Sequence, residues 1–224
     1  MHAFLCAFLM LLTAATDASQ VLDWMFLRQA ARDKEIATAT YRARLRYVET
    51  DLKSGDVDSL ECVRVVTMSD YGDQTHDFGD LWHNGCLLEG EEREKELVSL
   101  RSKGMFAQET LMPFFTETRD EYEYEVTGKD TLFGLPVWRV EFTPIRETKR
   151  HIVGSALVLD DCFDIVSMEF TPSDLPFVVT DAALALHYGL IDGQWLPVRF
   201  EMDMDLRLAI IIELMRRHIR IEEE

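Results

Sequence analysis

The sequence predicts an α+β fold, mainly β: a single strongly curved antiparallel sheet or unclosed barrel with two or more helices over its concave face. Three observations lead there. From about Tyr41 onward apolar and polar residues alternate with a period of two, which sends successive side chains to opposite faces of a strand. Turn signals such as Asn84-Gly85, Gly134 and Asp192-Gly193 recur between these runs, at the spacing of an antiparallel meander. Helical spacing is confined to two clear segments, far too few for a helical domain.

The chain opens on an uninterrupted apolar run, Ala3 to Leu12, followed by the small residues Thr13, Ala14, Ala15, Thr16 and Ala18. The run is too short to span a hydrocarbon core, which takes roughly 20 residues as a helix. It matches the apolar region of a secretory signal peptide, so residues 1–18 are read as a leader cleaved after Ala18, although no Lys or Arg precedes the run. The alternative is a buried N-terminal helix. Export of the mature domain, residues 19–224, places it in the periplasm of an organism with an outer membrane.

Val21 to Ala31 carries apolar residues at 21, 22, 25, 26 and 30, the spacing of a helix. Tyr41 to Tyr47 alternates strictly with arginine and reads as a strand, followed by the valine-rich strand Cys62 to Met68. Asp70-Tyr71-Gly72-Asp73 turns into a polar strand reaching Trp82, and His83-Asn84-Gly85 is a hairpin turn. Glu89 to Lys103 is a charged, mostly solvated helix stopped by Gly104, and the apolar patch Leu111 to Phe115 leads into the second half. There the strands are 121–126, 137–142, 151–159, 165–170, 182–190 and 195–204. Residues 206–221 close the chain as a strand, with helical spacing left open over 206–218. The sum is about ten strands and two helices in one domain, without a linker or repeat.

Composition narrows the function. The 224 residues carry 23 Lys+Arg against 41 Asp+Glu, a net charge of −18, so the chain lacks the basic face that nucleic-acid binding or adsorption to an anionic membrane needs. Beyond the leader three cysteines remain, Cys62, Cys86 and Cys162. An odd number makes a poor disulfide framework; either Cys62 pairs with Cys86 across neighbouring strands, or all three are small buried hydrophobes.

No catalytic constellation, metal site or cofactor motif emerges. The richest polar cluster is His76-Asp77-Phe78-Gly79-Asp80-Leu81-Trp82-His83, but on a regular strand His76 and His83 face opposite sides and share a site only through a bulge. Ser155 lacks a nucleophile elbow, and His151, His187 and His218 stand isolated in the sequence.

Supply of covering surface points to a cavity instead. Leu196, Val198, Phe200, Met202 and Met204 fall on one face of a strand, as do Trp138, Val140 and Phe142 on another. Two helices, one of them highly charged, offer little apolar surface to lay over so many strands. Trp138, Val140, Phe142, Val198, Phe200 and Met202 are therefore the candidate lining of an apolar, ligand-binding cavity, in a chain with 13 Phe and 10 Met. Trp195, one residue out of phase, is expected to act structurally on the opposite face.

The second half resembles the outer-membrane lipoprotein-sorting proteins, the LolA/LolB-like family of periplasmic carriers. The resemblance rests on Gly134-Leu135-Pro136-Val137-Trp138-Arg139-Val140-Glu141-Phe142-Thr143-Pro144, on Gly154 to Asp160, on Phe163 to Met168, and on Asp192-Gly193-Gln194-Trp195-Leu196-Pro197. It covers roughly residues 120–200 and transfers no ligand-binding residue. It implies a monomeric carrier or chaperone holding the acyl chains of a lipoprotein or lipid, working with inner- and outer-membrane sorting machinery. Two other readings fit the sequence: an exported binding or sensory module for another apolar or peptide ligand, and a cavity enzyme using the His76/His83 region.

Overall fold

The computed structural model describes residues 18–35, 39–68, 74–102, 111–191, 193–210 and 213–223. Residues 1–17 of the expected leader, the Asp70–Asp73 turn and the Gly104 helix stop lie outside the described residues.

Among the described residues two α-helices and eleven strands follow in chain order: α1 (Ala18–Glu35), β1 (Ala39–Asp51), β2 (Val57–Met68), β3 (Gln74–His83), β4 (Cys86–Leu87), α2 (Gly90–Ser102), β5 (Tyr122–Leu132), β6 (Leu135–Pro144), β7 (Ile152–Leu159), β8 (Ile165–Pro172), β9 (Val179–Ile191), β10 (Gln194–Ile210) and β11 (Glu213–Glu223). All strands belong to one sheet in the order β4-β3-β2-β1-β11-β10-β9-β8-β7-β6-β5, with antiparallel neighbours throughout. The chain thus builds the left part of the sheet, then the right edge, and meanders back until β11 closes on β1.

Among the described residues the sheet is open, ending at β4 and β5, and is neither closed nor strongly curled. That corrects the expected strong curvature, and the reason is the placement of the cores. One face carries two separate apolar clusters, each with its own helix, so the sheet need not fold onto itself to bury its apolar rows. The first cluster joins Val21, Met25 and Phe26 of α1 to Phe114, Tyr122, Trp138, Val140, Phe142, Val158 and Met168. The second joins Leu97 of α2 to Leu45, Tyr47, Leu60, Cys62, Phe78, Leu81, Ile219 and Ile221.

Polar contacts lock each helix in place. Arg28 of α1 donates Nε–H to Oδ1 of Asp164 at 2.9 Å, and the Asp164 side chain is only 4% exposed. Trp24 stacks on Phe163 in the same loop, with ring centroids 6.3 Å apart. On the other side Arg93 of α2 donates to the carbonyls of Phe78 and Gly79 at 2.8 and 3.0 Å, where β3 bulges against β2. Glu91 and Glu92 in the first turn of α2 complement the positive end of its dipole. The segment 111–118 is held by two phenols: Tyr122 donates to the Leu111 carbonyl at 2.5 Å, and Tyr124 donates to that of Pro113.

The tail of the chain differs from the expectation of one closing strand. Residues 206–210 continue β10, and 213–223 form β11, paired back onto it from Ile210↔Glu213 to Phe200↔Glu223. Strand, not helix, is what 206–210 adopts. Trp195 packs against a third cluster made by Val137, Leu159 and Val166, on the side of β6 opposite Trp138.

Cys62, Cys86 and Cys162 are free thiols, with Cys62 buried, Cys86 exposed and Cys162 half-buried. Burial pushes the Cys162 thiol up to about 11, so little thiolate exists near neutrality. In the native protein maleimide at pH 7.5 is expected to label Cys86 within minutes and Cys162 far more slowly, with Cys62 protected until unfolding. Mass spectrometry of timed digests measures this; Cys62 modified as fast as Cys86 contradicts the packing of the second cluster.

Candidate apolar ligand site

The register identifies where the two cores meet. Ladder pairs Leu186↔Phe200 and Leu184↔Met202 place β9 and β10 side chains on the helix-bearing face, and Met202↔Ile221 and Met204↔Ile219 continue the row onto β11. Leu186 and Tyr188 border the first cluster, while Met202, Met204 and Leu206 border the second. Along this seam Leu184, Leu186, Phe200, Met202, Met204 and Leu206 are all half-buried, unlike the near-zero exposure of Val140, Phe142 and Val158 under α1. The seam is an apolar strip between two helix-covered cores, and unlike those cores it keeps partial solvent contact.

The six sequence-selected residues divide accordingly. Trp138, Val140 and Phe142 lie inside the first core, Trp138 fixed further by an Nε1–H bond of 2.5 Å to Asp160 and by Lys129, whose Nζ sits 4.4 Å from the ring centroid. Phe200 and Met202 lie on the seam. Val198 leaves the row: a bulge between Pro197 and Arg199 displaces it, and its methyls occupy the space a side chain would take at Gly189. Simple alternation misses this because one extra residue reverses the phase beyond it.

The His76/His83 region has the bulge a shared site requires. The shift between Cys62 and Arg64 in the β2–β3 ladder brings both histidines to the helix-bearing face. They remain far apart along the strand, roughly 20 Å at ~3.3 Å per residue. Each is engaged separately: Arg64 Nη1 lies 3.0 Å from His76 Nδ1, and His83 Nε2 lies 2.5 Å from Asp58 Oδ1. Burial, and then the Arg64 charge, hold His76 below the usual imidazole range. Among the described residues no cluster of three metal-ligating side chains occurs.

One group reads as isolated in sequence but is not. His151, 5% exposed, places Nδ1 2.7 Å from Thr148 Oγ1 and Nε2 2.7 Å from Glu121 Oε2, with its ring edge-on to Tyr122. It borders a cleft of about 700 Å³ lined also by Leu111, Ile145, Arg146, Lys149 and Arg150. The Thr-Xaa-Xaa-His spacing across a turn was the available signal. Thr148 Oγ1 also accepts the Arg150 N–H at 3.3 Å, so the hydroxyl serves the turn it sits in.

No family model and no curated protein matches the sequence. Among solved structures the chain trace is similar to a DUF1329 family protein from Desulfovibrio piger, with 13% identity, TM-score 0.42 and coverage of 91% of both chains. It is also similar to an outer membrane lipoprotein-sorting protein domain from Vibrio parahaemolyticus, with 10% identity, TM-score 0.41 and coverage of 93% of this chain and 92% of that one. A LolA superfamily protein from Nitrosomonas europaea matches with 11% identity, TM-score 0.33 and coverage of 94% and 92%. Among the described residues no helix is long and apolar enough to cross a membrane.

Proposed function

We propose that the mature domain, residues 19–224, is a periplasmic, non-catalytic carrier or chaperone that holds the acyl chain of a lipoprotein or lipid along the β9–β10 seam. The observation that carries this reading is the pair of separate cores on one sheet face, with a half-buried apolar strip left between them. Helix α1 covers the first core and α2 contributes Leu97 to the second, so each core beside the strip has its own helix. Burial of an acyl chain there gains about 0.8 kcal/mol per CH₂. Methionine at 202 and 204 suits such a floor, because its flexible thioether adapts to apolar partners of varying shape. The strong negative charge, −18 over the full sequence, keeps a protein loaded with insoluble cargo in solution. Monomeric handover to membrane-bound sorting partners completes the reading.

The test is native extraction of the mature protein followed by mass spectrometry of organic-soluble material, together with uptake of a fluorescent long-chain fatty acid. Copurified acyl lipid and saturable uptake are expected. A protein that carries no lipid and takes up none refutes the proposal.

A further inference from the structure

We propose that the outer edge of β5 receives an extended segment of a partner polypeptide, in which basic and apolar residues alternate, as an added antiparallel strand. The two ends of the sheet differ in how their outer edges are occupied. At the β3 end, β4 pairs with Trp82 and His83, the Leu88 N–H donates to the Leu81 carbonyl, and Arg93 donates to the carbonyls of Phe78 and Gly79. At the β5 end no comparable cover occurs among the described residues. The Ile145 N–H donates to the Glu121 carbonyl at 2.8 Å, and Tyr122 lies opposite Pro144, which has no N–H. The main-chain groups of Glu123 and Glu125 therefore face β6, and those of Tyr124 and Val126 face outward. Tyr122 turns its own N–H to the Arg119 carbonyl. Among the described residues the N–H and C=O groups of Tyr124 and Val126 have no backbone partner.

Side chains decide what pairs there. Tyr124 and Val126 pack against the first core on the helix-bearing face, while Glu123 and Glu125 are exposed on the other. Glu125 also stands opposite the exposed Glu141 in the β5–β6 ladder, a like-charge pair that is unfavourable in the free protein. A second copy of the chain fits this edge poorly, because two β5 strands paired about Tyr124 set Glu123 of each against Glu125 of the other. A strand with lysines opposite Glu123 and Glu125 meets opposite charge at both, and its intervening apolar residues extend the first core beyond Tyr124 and Val126. The geometry also fixes its main chain. Its apolar residues exchange N–H···O=C bonds with Tyr124 and Val126, while its basic residues turn their N–H groups away from β5.

The probe is a short synthetic peptide of alternating lysine and valine with a fluorescent label, titrated with the protein at low salt and read by anisotropy. Saturable binding is expected, weakened about tenfold by the double change Glu123→Lys and Glu125→Lys, which should bind the glutamate–valine counterpart instead. N-methylation of the valines should abolish binding to the unmodified protein, and N-methylation of the lysines should leave it. No binding, or binding that survives methylation of the valines, overturns the proposal, since the second result is charge attraction without an added strand. A dimer of the protein alone in sedimentation, dispersed by Val126→Pro, assigns the edge to a second copy and overturns it as well. Should the doubly changed protein fail to fold by circular dichroism, the two methylated peptides on the unmodified protein decide.

Discussion

Gly154→Ala is expected to destabilise the domain by about 3 kcal/mol or more, the upper range for forcing atoms into a filled space. Gly154 lies in β7 opposite Phe170 of β8, and its backbone is ordinary strand, so conformational freedom is not what requires a glycine there. A Cβ at this position meets the Glu169 carbonyl oxygen at 2.1 Å and the Phe170 Cα at 2.7 Å. Both are backbone atoms of a paired strand. Relief therefore needs β7 and β8 to move apart, in the sheet that supports Ala156, Val158 and Met168 of the first core. In a domain of this size the melting temperature should fall by about 10 °C. Gly193→Ala provides the contrast: it meets nothing within 4 Å but sits at a φ of 83°, so it should lose only about 1 kcal/mol from backbone strain. Equal melting temperatures for the two variants contradict the close approach of β7 and β8.

Local chemistry makes much of this sheet readable in the sequence. Asn84 and Gly85 adopt φ of 49° and 78°, the left-handed pair that a two-residue hairpin demands, and Phe133-Gly134 does the same at 50° and 84°. Strands between such turns followed from alternation. The β10–β11 boundary did not, because Ile210-Ile211-Ile212 carries no turn residue and the rows of Leu206, Leu208 and Ile210 run on in phase. Bulges were equally hidden: nothing local in β3 or β10 announces the extra residue that carries His83 to the face of His76 or removes Val198 from the row of Phe200.

The site was half legible for a different reason. Alternation assigns a residue to a face but does not say which part of that face a helix covers. Trp138 and Met202 have the same pattern in sequence, yet one lies under α1 and the other on the seam. The placement of α1 depends on Arg28 meeting Asp164 across 136 positions of sequence, in a chain where acidic residues are too common for any one to stand out.

Met202→Asp is expected to abolish fatty-acid uptake while leaving a folded protein. Met202 lies between Leu184 and Ile221 in the ladder, at the middle of the seam, and is half-buried. A carboxylate there retains contact with water in the empty protein, so its charge survives at modest cost. An acyl chain laid over it removes that water, and an unpaired charge against hydrocarbon costs several kcal/mol, enough to cancel the gain from burying several CH₂ groups. The same substitution at Met168, which is 1% exposed inside the first core, should instead prevent folding, and Val98→Asp on the open face of α2 should change neither property. Circular dichroism and probe uptake on the three variants separate these outcomes. If Met202→Asp folds and takes up the probe as well as the unmodified chain, the seam between the two cores is not where the ligand lies.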